Sequence, residues 1–249
     1  MKRILFSSMP VLAFTFFLVS CGGANSDKSD KEAKPATDTV ASTPPETVTP
    51  MVNTIVTTPQ PMLIVVHKVA NFQKWIAGFE AGDSMKLANG LHNYVVGRGV
   101  RDSNMLFVAV KADDIEKARA FTKMPGLKKS MQMAGVIGAP DFSVITTTWQ
   151  DTVNIGDAIR SRTTFMVKDW ETWAKNFADG KQERLDNGIT DRAYGYDASD
   201  NKKISLITAV TDTAKAFAYY KSDAIKKRRE AGGVTTEPKR FLFRIVKRY

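Results

Sequence analysis

The sequence has little of the chemistry that most metal and redox sites need. It contains one cysteine and two histidines among 249 residues. A single cysteine excludes a disulfide framework and any zinc or iron–sulfur site with several cysteine ligands. The two histidines, His67 and His92, lie on different predicted elements, so we expect no metal and no cofactor. The G-x-S-x-G, Walker and dinucleotide-binding motifs are also absent.

The remaining composition is that of a globular protein with a basic charge balance. Hydrophobic residues make up 43% of the sequence and charged residues 25%, and the formal net charge is +10. This composition excludes a wholly disordered chain, and the length predicts one or two domains. The basic excess is largest in residues 150–249, which hold 20 basic and 14 acidic side chains.

The N-terminus has the features of a secretion signal. Lys2 and Arg3 form a positive segment, and residues 11–19 are an apolar stretch that is too short to span a bilayer. We therefore predict that residues 1–20 are a signal peptide that is removed from the mature protein.

The end of this signal resembles the bacterial lipobox. Residues 18–21 read Leu-Val-Ser-Cys, and the resemblance implies cleavage before Cys21 and attachment of acyl chains such as palmitate there. Several acyl chains together anchor a protein stably to a membrane. Because Gly22 rather than an aspartate follows, the resemblance favours the outer membrane. We predict a lipid-anchored protein of the bacterial cell envelope, whose partner through this anchor is the membrane.

Residues 21–60 are predicted to be a disordered tether. They are rich in threonine, proline, serine and alanine, lack large aromatic residues and show no sustained helical or strand period. A folded role for this segment is not expected.

The rest of the chain is a tandem repeat of one structural unit. When residues 61–149 are aligned with residues 159–249 at an offset of 98, aromatic and turn residues coincide. The matched pairs include Phe72 with Trp170, Trp75 with Trp173, Phe79 with Phe177, Gly90 with Gly188, Gly97 with Gly195 and Pro140 with Pro238. We predict two units, residues 61–149 and 160–249, joined by a linker over residues 150–159.

Each unit is predicted to follow the order β-α-β-β-α-β. In the first unit the strands are expected at residues 62–69, 91–100, 105–110 and 142–149. An amphipathic helix begins after Asn71 and ends near Gly90, and a second helix begins after Asp113 or Asp114 and is interrupted at Pro125. In the second unit we expect strands at 161–168, 189–197, 203–210 and 240–248, with helices at 169–186 and 212–230.

This order is that of a ferredoxin-like unit, so the fold class is α+β. Both helices of such a unit cover one face of its sheet, yet the strand Leu63-Ile64-Val65-Val66 is apolar on both faces. The second unit can cover the other face. We predict that the two sheets pack as an intramolecular pseudo-dimeric α+β barrel, in a chain that is itself a monomer.

Several motifs of the first unit also resemble a known group of proteins. They are Val65-Val66-His67-x-Val69, Phe72-x-x-Trp75-x-x-x-Phe79, Gly90-Leu91, Ala118-x-x-Phe121, Leu127-Lys128-x-x-Met131-x-x-Ala134-Gly135-Val136 and Gly138-x-Pro140. The unit resembles small proteins of the dimeric α+β barrel superfamily, alongside the antibiotic-biosynthesis monooxygenase-like group. The resemblance implies the fold. It leaves the activity open, because the superfamily includes cofactor-free oxygenases, haem enzymes, isomerases and ligand binders.

The candidate site residues come from a comparison of the two units. His67 and Arg98 of the first unit align with Phe165 and Tyr196 of the second. If one cavity is functional, we expect it between the two sheets, over the first one, with His67 lining it as a general base and Arg98 orienting an anionic substrate. The same four residues are candidate ligand-binding groups. The alternatives are a core histidine, whose place tolerates an aromatic ring, and a solvated Arg98.

A run of basic residues on the predicted last helix is the second candidate feature. It consists of Lys226, Lys227, Arg228 and Arg229. A predicted location outside the cytoplasm argues against nucleic acid, so a solvated helix face or contact with anionic envelope components remains.

Three hypotheses for function follow. The first is a lipoprotein that binds a small apolar or aromatic ligand in or beside the barrel and is not an enzyme. The second is a cofactor-independent oxygenase or isomerase with His67 as base. The third is an envelope interaction module that uses the basic C-terminal unit.

Overall fold

The structure is a computed structural model that describes residues 53–249. The predicted signal peptide, Cys21 and most of the predicted tether lie outside the described residues. None of the helices in residues 53–249 is long and apolar enough to cross a membrane.

Both units have the predicted order of elements. The first unit consists of β2 (Gln60–Val69), α1 (Phe72–Ala81), α2 (Asp83–Ala88), β3 (Leu91–Gly99), β4 (Met105–Ala112), α3 (Ile115–Thr122), α4 (Pro125–Met133) and β5 (Val136–Asp151). The second consists of β6 (Ile159–Met166), α5 (Trp170–Asp179), α6 (Lys181–Asp186), β7 (Ile189–Asp197), β8 (Asp200–Val210), α7 (Thr213–Tyr219), α8 (Asp223–Ala231) and β9 (Lys239–Arg248). A short strand, β1 (Ile55–Val56), precedes them.

The predicted α+β barrel is confirmed, and the strands show how it closes. Each unit forms a four-stranded antiparallel sheet, in the orders β5-β2-β4-β3 and β9-β6-β8-β7. Strand β3 pairs with β9, and β5 pairs with β7. The two sheets are therefore joined edge to edge at two seams, so that eight strands enclose one lumen and the helices of each unit cover the outside of its own sheet.

A glycine lies at the same place in each seam. A Cβ added at Gly97 would lie 2.3 Å from the ring of Phe243 on β9. A Cβ added at Gly195 would lie 2.0 Å from the carbonyl oxygen of Thr146 on β5. Because real Cβ atoms do not approach other atoms so closely, both seams need a residue without a side chain.

The predicted helix-capping residues of the first unit cap helices in the structure. The side chain of Asn71 accepts a hydrogen bond from the Lys74 amide, and that of Asp114 accepts one from the Lys117 amide, so both residues cap helices as predicted. Gly90 ends the first helical segment with φ 68°, a left-handed conformation that favours glycine.

Four predicted boundaries differ from the structure. The helix expected from residue 72 to about residue 89 breaks at Gly82, and the helix over 169–186 breaks at its counterpart Gly180. Strand β5 begins six residues earlier than predicted. The predicted tether also extends too far, because Ile55 and Val56 pair with Asp151 and Gln150 of β5.

The sheet of the first unit separates two apolar layers, one under its helices and one inside the barrel. A core beneath the helices of the first unit includes Leu63, Val65, Trp75 and Phe121. The lumen holds a different cluster, with Met62, Ile64, Phe107 and Phe243 among its members. Successive residues of β2 thus alternate between the helix-covered layer and the lumen.

Candidate functional site

His67 lies in the helix-covered layer of the first unit. It shares its face of β2 with Leu63 and Val65, which pack under the helices. The expectation that His67 lines the cavity between the two sheets is therefore wrong. Strand alternation determines this placement, and the sequence did not reveal which apolar face of β2 the helices would cover.

The His67 ring is buried, and its nitrogens are unpaired within the part of the chain that the structure describes. Its residue exposure is 3%, and neither Nδ1 nor Nε2 has a partner among the described residues. The ring lies 5.3 Å from that of Trp75, at an interplanar angle of 50°. Burial lowers the pKa of His67 from 6.5 to about 4, so the imidazole is neutral at pH 7.

A cavity of about 80 Å³ adjoins this ring. Its walls are mainly apolar: Leu63, Val65, Trp75, Phe79, Met85, Val108, Val110, Phe121, Leu127, Met131, Ala134 and Phe142. Among the residues that line it, His67 and Lys86 are the two that carry titratable groups. A neutral imidazole with free nitrogens, in an otherwise apolar cavity, can accept a proton or a hydrogen bond from a small ligand.

Lys86 forms part of the boundary of this cavity. Its Nζ donates to the carbonyl of Phe79 at 2.6 Å, pairs with Asp83 at 2.8 Å and lies 3.4 Å from the centre of the Phe79 ring. Burial lowers the pKa of Lys86, and Asp83 opposes that effect. With these partners Lys86 holds α1 and α2 together across their break at Gly82.

Arg98 lies outside the cavity. Its guanidinium lies 4.5 Å from the centre of the Phe72 ring, and its Nε donates to the carbonyl of Ser103 at 2.7 Å. Arg98 is absent from the residues that line the His67 cavity. The predicted pairing of these two residues in one catalytic site is therefore not found, because Arg98 is held at the turn between β3 and β4.

Phe165 and Tyr196 belong to the second unit's own helix-covered layer. Phe165 lies 5.7 Å from Trp173, and Tyr196 packs edge-on against Trp170 at 4.8 Å. The barrel separates this layer from His67, so the four predicted ligand-binding residues do not form one site.

The second unit has a cavity in the corresponding place, with different chemistry. It measures about 100 Å³ and has Phe165 where the first unit has His67. Arg184 replaces Lys86, lies 3.5 Å from the centre of the Phe177 ring and forms two hydrogen bonds with Asp191, at 2.7 and 2.6 Å. The free imidazole is thus particular to the first unit.

The predicted basic surface is largely paired. Lys226 contacts Asp223 at 2.9 Å, Arg228 contacts Glu183 at 2.7 Å and Arg229 contacts Glu237 at 3.8 Å. Lys227 is exposed on the same helix. These partners reduce the net positive charge of the patch.

The cavity at His67 does not suit a large cofactor. A volume of about 80 Å³ at His67 is far below the roughly 300–1,000 Å³ of pockets that enclose drug-sized ligands, so a haem does not fit there. Within residues 53–249, no three side chains of His, Cys, Asp and Glu are grouped as a metal site would need.

Sequence reasoning missed a group of polar residues in the lumen. Arg160 is 2% exposed, and Arg192 and Gln150 line the same cavity inside the barrel. The repeat carried the signal: at the offset of 98, Arg160 aligns with Met62, a buried apolar residue of the first unit.

Comparisons with known proteins identify the fold. No family model matches the chain, and no curated protein matches it by sequence. A proposed monooxygenase from Fusobacterium nucleatum is 15% identical with a TM-score of 0.52, over 76% of this chain and 94% of that protein. A proposed monooxygenase from Lactobacillus acidophilus is 12% identical with a TM-score of 0.46, over 75% and 93% of the two chains. A proposed chlorite dismutase is 15% identical with a TM-score of 0.49, over 76% and 96%.

The similarity to the Fusobacterium protein, at 15% identity, is evidence for the fold only. The closed eight-stranded barrel with helices on its outside is the dimeric α+β barrel fold, built here from the two halves of one chain. The fold expected from the sequence resemblance is confirmed.

Proposed function

We propose that the first unit binds a small, weakly acidic aromatic molecule in the helix-covered cavity beside the barrel, and that His67 accepts a hydrogen bond from its acidic group. The observation that carries this proposal is the buried His67 ring, whose two nitrogens have no partner among the described residues. Leaving a buried polar group unpaired costs about 1–3 kcal/mol. A bound O–H or acidic C–H group would satisfy one of these nitrogens.

The surroundings of His67 suit such a ligand. Trp75 and Phe79, whose rings stack at 5.0 Å, supply aromatic walls. The cavity of about 80 Å³ is smaller than the roughly 150 Å³ that accommodates benzene in an engineered cavity. Entry of a ring therefore requires the flexible side chains of Met85 and Met131 to move.

The reaction class that fits this arrangement is a cofactor-independent oxygenation. His67 would remove a proton from an activated CH₂ group, and the resulting carbanion would reduce molecular oxygen. The CH₂ becomes C=O, one oxygen atom of O₂ stays in the product and the other leaves as water. An isomerase would use the same first step and return the proton to another carbon.

The location proposed for this activity is the bacterial cell envelope, at the outer membrane, through a lipid on Cys21. The support is the resemblance of residues 18–21 to the lipobox. Metabolic labelling with palmitate, in the full chain and in Cys21→Ser, tests it: label in both proteins, or in neither, contradicts the anchor.

Oxygen uptake with a panel of phenols and compounds with activated CH₂ groups tests the reaction. We expect uptake that depends on substrate and is lost in His67→Phe, while Phe165→Leu in the second unit retains it. Uptake that His67→Phe retains would contradict the role of His67. Binding of these compounds without oxygen uptake would support a ligand-binding function and contradict the proposed oxygenase activity.

A further inference from the structure

The lumen of the barrel contains a guanidinium that has no ionic partner within residues 53–249. Arg160 on β6 faces inward beside Phe243, its directly opposite neighbour on β9. Its residue exposure is 2%. One terminal nitrogen donates to the carbonyl of Ala158, and the other, Nη2, has no partner among the described residues.

The neighbouring charges do not neutralise Arg160. Arg192 lies in the same cavity, but it is paired with Asp151 at 2.7 Å and also donates to backbone carbonyls. Burial, together with Arg192 and Arg248, lowers the pKa of Arg160 to about 10, and the negative charge of Asp157 only partly opposes this effect. An unpaired buried charge is strongly destabilising, so an anion here would compensate Arg160.

The cavity around Arg160 has a cationic end and an apolar end. Its charged residues are Arg160, Arg192, Arg248 and Asp151, which leaves an excess of positive charge. The apolar end is formed by Met62, Ile64, Phe107, Ile145 and Phe243. Arg248 is exposed as well as lining the cavity, so the lumen reaches the surface at this end.

The size of the cavity limits its ligand. A volume of about 70 Å³ exceeds the roughly 15 Å³ that one water needs and is below the roughly 150 Å³ of a benzene site. A monocarboxylate of two to four carbons has one negative charge and one apolar end, and with at most six non-hydrogen atoms it is no larger than benzene. Because the lumen reaches the surface at Arg248, the longest of these chains need not lie wholly within this volume.

We propose that the barrel lumen is a second binding site, which takes a short-chain monocarboxylate with its carboxylate on Arg160 and its alkyl chain against Phe107 and Phe243. This site is separate from the His67 cavity, because the sheet of the first unit lies between them. Guanidinium and carboxylate groups match in charge and in planar geometry.

Calorimetric titration of the full chain with butyrate tests the site, with neutral butyramide, chloride and phosphate as comparison probes. We expect butyrate to bind and raise the melting temperature, and butyramide to bind at least tenfold more weakly. Arg160→Met introduces the residue found at the equivalent position of the first unit, and it should weaken butyrate binding at least tenfold. Equal binding of butyramide, or of butyrate to Arg160→Met, would overturn the proposal.

Arg162 supplies a matched control. It is also a buried arginine of β6, and it donates to Ser143 rather than lining this cavity. Arg162→Ile should leave butyrate affinity within twofold. His67→Phe should also leave it within twofold, because His67 belongs to the other cavity. A loss of ligand binding or oxygen uptake at the His67 cavity therefore tests only the proposed function, and leaves the lumen site unaffected. Loss of butyrate binding in Arg162→Ile would contradict the assignment to Arg160.

A measurement on the unmodified chain keeps the proposal testable if Arg160→Met does not fold. We expect nuclear Overhauser contacts between the butyrate methyl group and the rings of Phe107 and Phe243. Binding without these contacts, or binding of phosphate and chloride without butyrate, would overturn a carboxylate site in the lumen.

Discussion

His67 and Phe165 occupy the same position in the two units, and the two ring nitrogens of His67 have no hydrogen-bond partner among the described residues. Each ring lies against the tryptophan of the following helix, at 5.3 Å for His67 with Trp75 and 5.7 Å for Phe165 with Trp173. Phe165 shows that the fold accepts an apolar ring here. The unpaired imidazole therefore lowers the stability of the protein, although packing at this position does not require a histidine.

Replacing His67 by phenylalanine should stabilise the protein. The change removes two unpaired buried nitrogens and introduces the ring found in the second unit, so we expect the free energy of unfolding to rise by about 1–3 kcal/mol. Urea denaturation at pH 7 measures this difference. The matched change Phe165→His should lower the free energy of unfolding by a similar amount; a stabilising effect would contradict the account.

The stability of the wild-type protein should fall in mild acid because of His67. The unfolded chain binds a proton at this histidine below pH 6.5, whereas the folded chain does so only below about pH 4. Stability is therefore lost as pH falls from 6.5 to 4, by about 3 kcal/mol from this residue. Denaturation curves across that range should show a smaller loss in His67→Phe; equal losses in the two proteins would contradict the lowered pKa.

The two buried cations under the helices should differ in importance. Arg184→Met would leave Asp191, whose side chain is 8% exposed, without its partner, and we expect a loss of about 3–5 kcal/mol. In Lys86→Met the abandoned carboxylate of Asp83 is 46% exposed, so water can solvate it. Thermal denaturation of both variants should therefore rank Arg184→Met as the more destabilised, and the reverse order would contradict this reasoning.

Gly195→Ala should weaken the closure of the barrel. The new methyl group would meet the backbone of Thr146 at the seam between β5 and β7, and neither strand can yield without breaking pairing. We expect a loss of about 1–3 kcal/mol. Amide hydrogen exchange should then be faster on β5 and β7 than on β2 and β4, and uniform exchange would contradict a local effect.

Much of the fold could be predicted because the chain repeats its pattern. The aligned aromatic and glycine residues defined two units, and the unbroken apolar run along β2 predicted a sheet with two apolar faces. The breaks at Gly82 and Gly180 also lay in register, but an isolated glycine does not by itself show that a helix ends.

The candidate site was harder to predict, for a physical reason. Both faces of β2 are apolar, so its sequence does not say whether His67 points toward the helices or into the lumen. Arg160 was overlooked because a buried arginine is rare, and only its alignment with Met62 marks its position as internal.

The nitrogen resonances of the imidazole rings test the central claim most directly. The chain has two histidines, and His92 is an exposed reference that contacts Asp113 at 2.9 Å. With ¹⁵N-labelled histidine at pH 7, we predict a neutral His67 ring whose signal shifts when phenol is added and stays in place with toluene. A protonated His67 ring, or a signal that phenol does not move while it binds the protein, would contradict the account.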